Sequence, residues 1–122
     1  MSFKETNDRD AWISLRDQRE MRINEITEWA KGEKVKILDK LKEKEFFDRN
    51  EGINLTWKEL TQWRKEWELG KALYVVLKAK IIKDYHLSGK SVKEYIEIVL
   101  LNLGCREGYD YYKRRYWFCS ID

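Results

Sequence analysis

The chain has 122 residues, of which 43% are apolar and 39% charged, with a formal net charge of +3. That length suits one compact domain and does not comfortably hold two. An aromatic content of 14% argues against disorder, and the absence of proline leaves nothing to force a break inside a helix. No apolar run opens the chain, so no secretory signal is expected, and the apolar clusters at 72–77 and 98–101 are too short to span a membrane. Two cysteines, Cys105 and Cys119, in a Lys/Glu-rich chain predict no disulfide framework. With the single His86 they do not fill a structural zinc site. The expectation is a cytoplasmic protein with no cofactor, no metal, no membrane contact and no small-molecule substrate.

Charge is unevenly spread. Residues 1–70 hold 15 basic and 16 acidic side chains, whereas 71–122 hold 10 basic and 6 acidic. The C-terminal part can therefore face a polyanion while the N-terminal part is neutral.

In chain order, Met1–Thr6 is expected to fray, and Asn7 or Asp8 to cap a first helix. Within Arg9–Ala30, Trp12, Leu15, Ile26 and Trp29 are the expected core positions, with Met21 and Ile23 as further candidates. Gly32 interrupts the pattern and either ends this helix or weakens it. A second helical segment, Gly32–Arg49, carries Val35, Ile37, Leu38, Leu41, Phe46 and Phe47. Arg49–Asn54 reads as a loop, since Asn50 and Gly52 suit turns with positive φ. Residues 1–50 are thus expected to form a helical hairpin.

The stretch 55–86 predicts a long central helix. Thr56 and Glu59 have the spacing of a capping box, and Leu55 and Leu60 that of a hydrophobic staple. Large apolar residues recur at Leu60, Trp63, Trp67, Tyr74, Leu77 and Ile81, in steps of 3, 4, 7, 3 and 4. The stop missing inside the 7 is Gly70, a candidate hinge. Residues 72–82 are apolar on several faces and predict a buried pillar. His86 is expected to cap the helix end, Ser91 and Glu94 to form a second capping box, and Gly104 to follow the helix Val92–Leu103. The tail from Arg106 reads two ways. As a helix, Tyr109, Tyr112 and Tyr116 share a face, and Asp110 reaches Arg114. As a strand, its faces alternate and its residue types fit better. A lone strand has no evident partner, so helix to about Tyr116 is preferred. The expectation is an all-α fold over residues 1–122: a helical bundle with a long central helix and a helix-turn-helix-like C-terminal part, in which 91–122 is a capped helix plus a basic aromatic tail.

Catalysis finds little support. A nucleophile needs a base within reach, and His86 and Cys105 are 19 residues apart. Ser88-Gly89-Lys90-Ser91 lacks the leading glycine of a phosphate loop. The chain is expected not to be an enzyme.

The run Lys78–Tyr85, then Ser88–Ile96, then Leu103-Gly104-Cys105, then Tyr109–Tyr116, resembles three-helix helix-turn-helix DNA-binding domains, such as those of resolvases, transposases and sigma-region-4-like phage regulators. That resemblance implies a basic recognition helix whose Arg106, Lys113, Arg114 and Arg115 face DNA, with Lys90, Lys93 and Tyr111 completing the nucleic-acid set. The residues support the same partner without it. Lys113-Arg114-Arg115 supplies phosphate-neutralising charge, and the flanking Tyr111, Tyr112, Tyr116 and Trp117 supply stacking surfaces. The leading expectation is a small regulatory DNA-binding protein. The alternative is a protein-interaction module or homodimer, such as an adaptor or inhibitor from a mobile element or virus. It would act through Trp57, Trp63, Arg64 and Trp67, because Trp and Arg concentrate at binding hot spots.

Overall fold

Ile23, Ile26, Ala30, Ile37 and Leu41 are separated by steps of 3, 4, 7 and 4, the spacing of one helical stripe, and all five are buried. A computed structural model describes the backbone of residues 2–122 and the side chains of residues 16–122. Helix α1 runs unbroken over Ser2–Lys42. The expected hairpin of two helices is therefore corrected. Gly32 sits inside α1 because its neighbours are strong helix formers. Glu28–Lys31 and Glu33–Lys36 ion pairs at i,i+3 support the turns on either side of it. The helix also begins ahead of the expected Asn7 or Asp8 cap. The side chains of those residues, and of Trp12 and Leu15, lie outside the described residues. Met21 is exposed and Trp29 half-buried, while Ile23 belongs to the core.

Two hairpins replace expected helix. Phe46 and Phe47 lie on β1, Glu45–Asp48, which pairs antiparallel with β2, Ile53–Thr56. The four-residue loop between them, 49–52, follows Asp48, whose carboxylate accepts from Asn50 N–H (2.9 Å). It ends in left-handed backbone at Gly52. Aromatic residues and a turn-forming loop favour strand over a second helix here. The expected loop Arg49–Asn54 is thus shorter, since Ile53 and Asn54 belong to β2.

The Thr56–Glu59 capping box forms, with Glu59 Oε1 accepting from Thr56 N–H (3.0 Å), but it caps a 3₁₀ turn over Trp57–Glu59. Leu60 then breaks to extended backbone, and Thr61 caps α2, Gln62–Tyr85, by accepting from Arg64 N–H (3.1 Å). α2 passes through Gly70 without a hinge. Its buried line is Leu69, Leu73, Leu77 and Ile81. The pillar apolar on all sides is corrected to a helix with one buried face, since Val75 and Ile82 are exposed. His86 closes α2 as expected, in left-handed backbone, donating its N–H to the Ile82 carbonyl (3.1 Å).

α3 spans Lys90–Asn102 and buries Val92, Tyr95, Ile96, Val99 and Leu100. It starts one residue before Ser91, so the expected second capping box does not form, and Glu94 meets Arg19 of α1 instead. Past the helix end and Gly104, the chain makes β3, Arg106–Tyr109, and β4, Arg115–Phe118, an antiparallel pair. The tail's strand partner is the tail itself, folded at 110–114. No recognition helix follows α3 among the described residues, so the helix-turn-helix-like part is corrected to a helix followed by a β-hairpin.

The expected all-α fold becomes a mixed α/β fold that is mostly helical. One core joins α1, the first hairpin, the 3₁₀ turn, α2, α3 and β4. Among the described residues, no helix is long and apolar enough to cross a membrane.

Candidate nucleic-acid and partner interface

The β3–β4 hairpin is built outward from its base. Cys105 and Cys119 stand opposite one another, one step beyond the Arg106↔Phe118 pair, with Cα atoms 4.1 Å apart, and they form a disulfide. The expectation that the chain has no disulfide framework is corrected. Their 14-residue separation is what a hairpin of this register requires. Bonded and buried, Cys105 offers no thiolate, which removes it as a nucleophile partner for His86.

The base is fixed to α2 by an unusually close approach. A Cβ on Gly70 would lie 2.0 Å from the Trp117 carbonyl oxygen, so only glycine admits β4 at this distance. The gap in the apolar stripe of the sequence is therefore the seat of the hairpin. Cys119 N–H donates to the Glu66 carbonyl (3.1 Å). Trp63 packs on Phe118 (5.5 Å between ring centres), and Trp67 meets Tyr116 edge-on (6.0 Å).

At the tip, Asp110 organises the turn. Its carboxylate accepts from Arg114 N–H (2.8 Å), Arg114 Nε (2.9 Å) and the Tyr116 hydroxyl (3.3 Å). Partial burial pushes the Asp110 carboxyl up, but the Arg114 backbone and side-chain hydrogen bonds, the Arg114 charge and the Tyr116 hydroxyl outweigh it and hold it below the usual carboxylate range. Lys113 takes left-handed backbone (φ 61°), completing a type I turn with a left-handed last residue. Outside this frame stand Tyr109, Tyr111 and Tyr112, exposed by 66%, 92% and 73%. The Tyr111 and Tyr112 rings meet edge-on, and the Arg114 guanidinium lies over Tyr112 (5.4 Å).

The residues expected to face nucleic acid fall in three places. Tyr111, Lys113 and Arg114 share the tip. Lys93 and Arg115 meet across a 370 Å³ cleft between α2, α3 and β4, and Lys90 lies one turn before Lys93 at the start of α3. Arg106 stands apart near the hairpin base, ion-paired with Glu66 (3.0 Å). Arg115 is held by Glu97 and Glu107. Burial works against its charge, but those carboxylates outweigh it and keep it firmly cationic. Lys90, Lys93 and Lys113 pair with no carboxylate among the described residues.

The partner set is divided as well. Trp57 is buried against Phe46 (6.1 Å), which takes it out of any surface. Trp63 is 56% exposed and stacks on half-buried Trp67 (5.9 Å). Arg64 reaches the buried Glu68 (3.1 Å) and donates to the Phe47 carbonyl (3.4 Å). Trp63, Arg64 and Trp67 floor a 720 Å³ groove between the two hairpins, and Arg114 reaches its far wall. The two sets, separate in sequence, adjoin in space.

The sequence names Tyr112 only as a flanking stacking surface, and it does not point to Tyr109 or Asp110. Asp110 followed by two aromatic residues and a basic run between strand-like segments is the turn signal that would have found them. Among the described residues, no cluster of three or more His, Cys, Asp or Glu side chains is placed to hold a metal ion. No family model, no curated protein and no solved structure matches the chain.

Proposed function

We propose that this protein binds single-stranded nucleic acid through the tip of the β3–β4 hairpin, without catalysis. The observation that carries this reading is the exposure of Tyr109, Tyr111 and Tyr112 beside Lys113 and Arg114 on a hairpin fixed at both ends. Aromatic faces stack on unpaired bases at about 1–3 kcal/mol per base, and the adjoining cations neutralise phosphates. A pre-organised hairpin loses little entropy when it binds. A duplex hides base faces, so the tyrosines favour single strands over duplex DNA. The Cys105–Cys119 disulfide favours an oxidising compartment over the expected cytoplasmic location, because reducing compartments keep thiols reduced.

The test is titration of the protein into a labelled oligothymidylate and its duplex with oligoadenylate, at several salt concentrations. The single strand should bind more tightly, with a log–log salt slope of about −0.7 per phosphate neutralised. No binding at low salt, or equal affinity for the duplex, contradicts the reading.

A second reading rests on the groove between the hairpins, which exposed Trp63 and exposed Phe47 both line. That pair suits a protein contact or a homodimer. A Trp63→Ala variant with unchanged mass by light scattering at high concentration would remove the homodimer.

A further inference from the structure

α2 presents solvent with a stripe unrelated to the hairpin tip. Lys71, Val75, Lys78 and Ile82 follow at steps of 4, 3 and 4, so they share one face. All four are exposed, Val75 by 64% and Ile82 by 44%. Beside this stripe runs the seam with α3. A 370 Å³ cleft and a 210 Å³ cleft lie along it and share Tyr74 and Lys93, so they form one trough. Four cations line the trough, Lys71, Lys78, Lys93 and Arg115, and no Asp or Glu does. Lys71 also touches Glu68 (3.4 Å), and Arg115 is held by Glu97 and Glu107. Lys78 and Lys93 have no carboxylate partner among the described residues. Along α2 the trough runs from Trp67 to Ile82, about 22 Å at 1.5 Å per residue.

We infer that this trough is the docking site for an acidic amphipathic helix of a partner protein, about 15 residues long. Its apolar positions, spaced i, i+3/i+4, i+7, would pack against Val75, Ile82 and Tyr74. Its flanking Asp and Glu residues would meet Lys71, Lys78 and Lys93. Such a helix-in-groove contact reads the same 3–4 spacing that the stripe displays. Nucleic acid would satisfy the lysines but leave Val75 and Ile82 uncovered. A bilayer would cover both but needs a convex apolar face, and the trough is concave. The inference stands independently of the hairpin reading.

The test uses the full chain and a fluorescein-labelled 16-residue peptide with Leu at 3–4 spacing and Glu on both flanks. Controls are the same composition scrambled and the same peptide with Lys for Glu. Anisotropy titrations at low salt should show the acidic amphipathic peptide binding at least about tenfold more tightly than either control. Lys78→Glu with Lys93→Glu, and separately Val75→Ser with Ile82→Ser, should each weaken it about tenfold or more. Circular dichroism checks that both variants keep their helix content, and Tyr111→Ala with Tyr112→Ala should leave peptide affinity unchanged. Amide shifts on peptide addition should centre on residues 71–82 and 90–96. Absence of peptide binding, equal binding of the scrambled control, or indifference to both seam variants overturns the inference. So does finding that an oligothymidylate or phosphatidylserine vesicles perturb Val75 and Ile82 while the peptide does not.

Discussion

Gly70 carries more of this structure than its size suggests. At Gly70, a methyl group would have to occupy the space of the Trp117 carbonyl, whose carbon lies 2.6 Å and oxygen 2.0 Å from the position of a Cβ. Both atoms are backbone, so the hairpin must retreat from α2 to admit it. Gly70→Ala is expected to destabilise the fold by about 1–3 kcal/mol in urea denaturation, despite alanine's better helix propensity. Gly32 is the control. It lies within α1 with open space around it, and Gly32→Ala should add up to about 1 kcal/mol. If both substitutions stabilise, β4 does not sit on Gly70. Lys113 presents the opposite case, a side chain where backbone conformation favours none. Left-handed backbone costs a non-glycine residue about 1–2 kcal/mol. Lys113→Gly should therefore raise the midpoint of unfolding while lowering affinity for single strands and flattening the salt dependence. A variant that loses stability would show that Lys113 stabilises the turn.

At the scale of elements, the second hairpin is a staple and a platform together. The disulfide closes a 14-residue separation, and a loop of that size is worth about 3 kcal/mol in the chain-entropy account. Reduction, or Cys105→Ser with Cys119→Ser, should lower stability by roughly that amount, and the loss should appear first in the amides of 106–118 by hydrogen exchange. Unchanged stability under reductant would mean that the two sulfurs are not joined. This element shows where sequence reasoning stops. Asp110 and Arg114 pair at i,i+4 in a helix, and here they pair across a turn, so the same residues satisfy both conformations. The strand propensity of Tyr111–Phe118 was legible, but its partner was not, because pairing within the tail depends on folding at 110–114. α1 shows the reverse. The buried stripe through Ile23, Ile26, Ala30, Ile37 and Leu41 is visible in the sequence, and a single glycine without turn residues around it was weak ground for a break. The first hairpin was hidden for another reason. Phe46 and Phe47 fit an apolar helix face as well as a strand, and a four-residue strand carries too little periodicity to decide.

For the whole molecule, the helices supply the core and the two hairpins shape the surface. The helical skeleton was legible because its apolar residues recur at 3 and 4, and because Thr56, Glu59, His86 and Gly104 mark turns or ends. The site was legible as residue types and not as places. The Lys113-Arg114-Arg115 run with its tyrosines reads as one face of a recognition helix, whereas the hairpin keeps Lys113 and Arg114 with Tyr111 and Tyr112 at its tip and turns Arg115 into the cleft beside α3. Arg106 and Arg115 turned out to be held by acidic partners far away in sequence, Glu66 and Glu97, which no local pattern reveals. Trp57 and Trp63 look alike in sequence, but packing against Phe46 buries the first and leaves the second open. Single-strand binding at the hairpin tip depends most on the exposed tyrosines. The direct test compares the wild-type chain with a Tyr111→Ala, Tyr112→Ala variant in titrations against an oligothymidylate at constant salt. Both side chains are exposed, so circular dichroism and the unfolding midpoint should not change. Affinity should fall by about 2–6 kcal/mol, two lost base stacks, with the salt slope preserved because Lys113 and Arg114 are retained. Equal affinity of the two proteins would contradict single-strand binding by the hairpin tip.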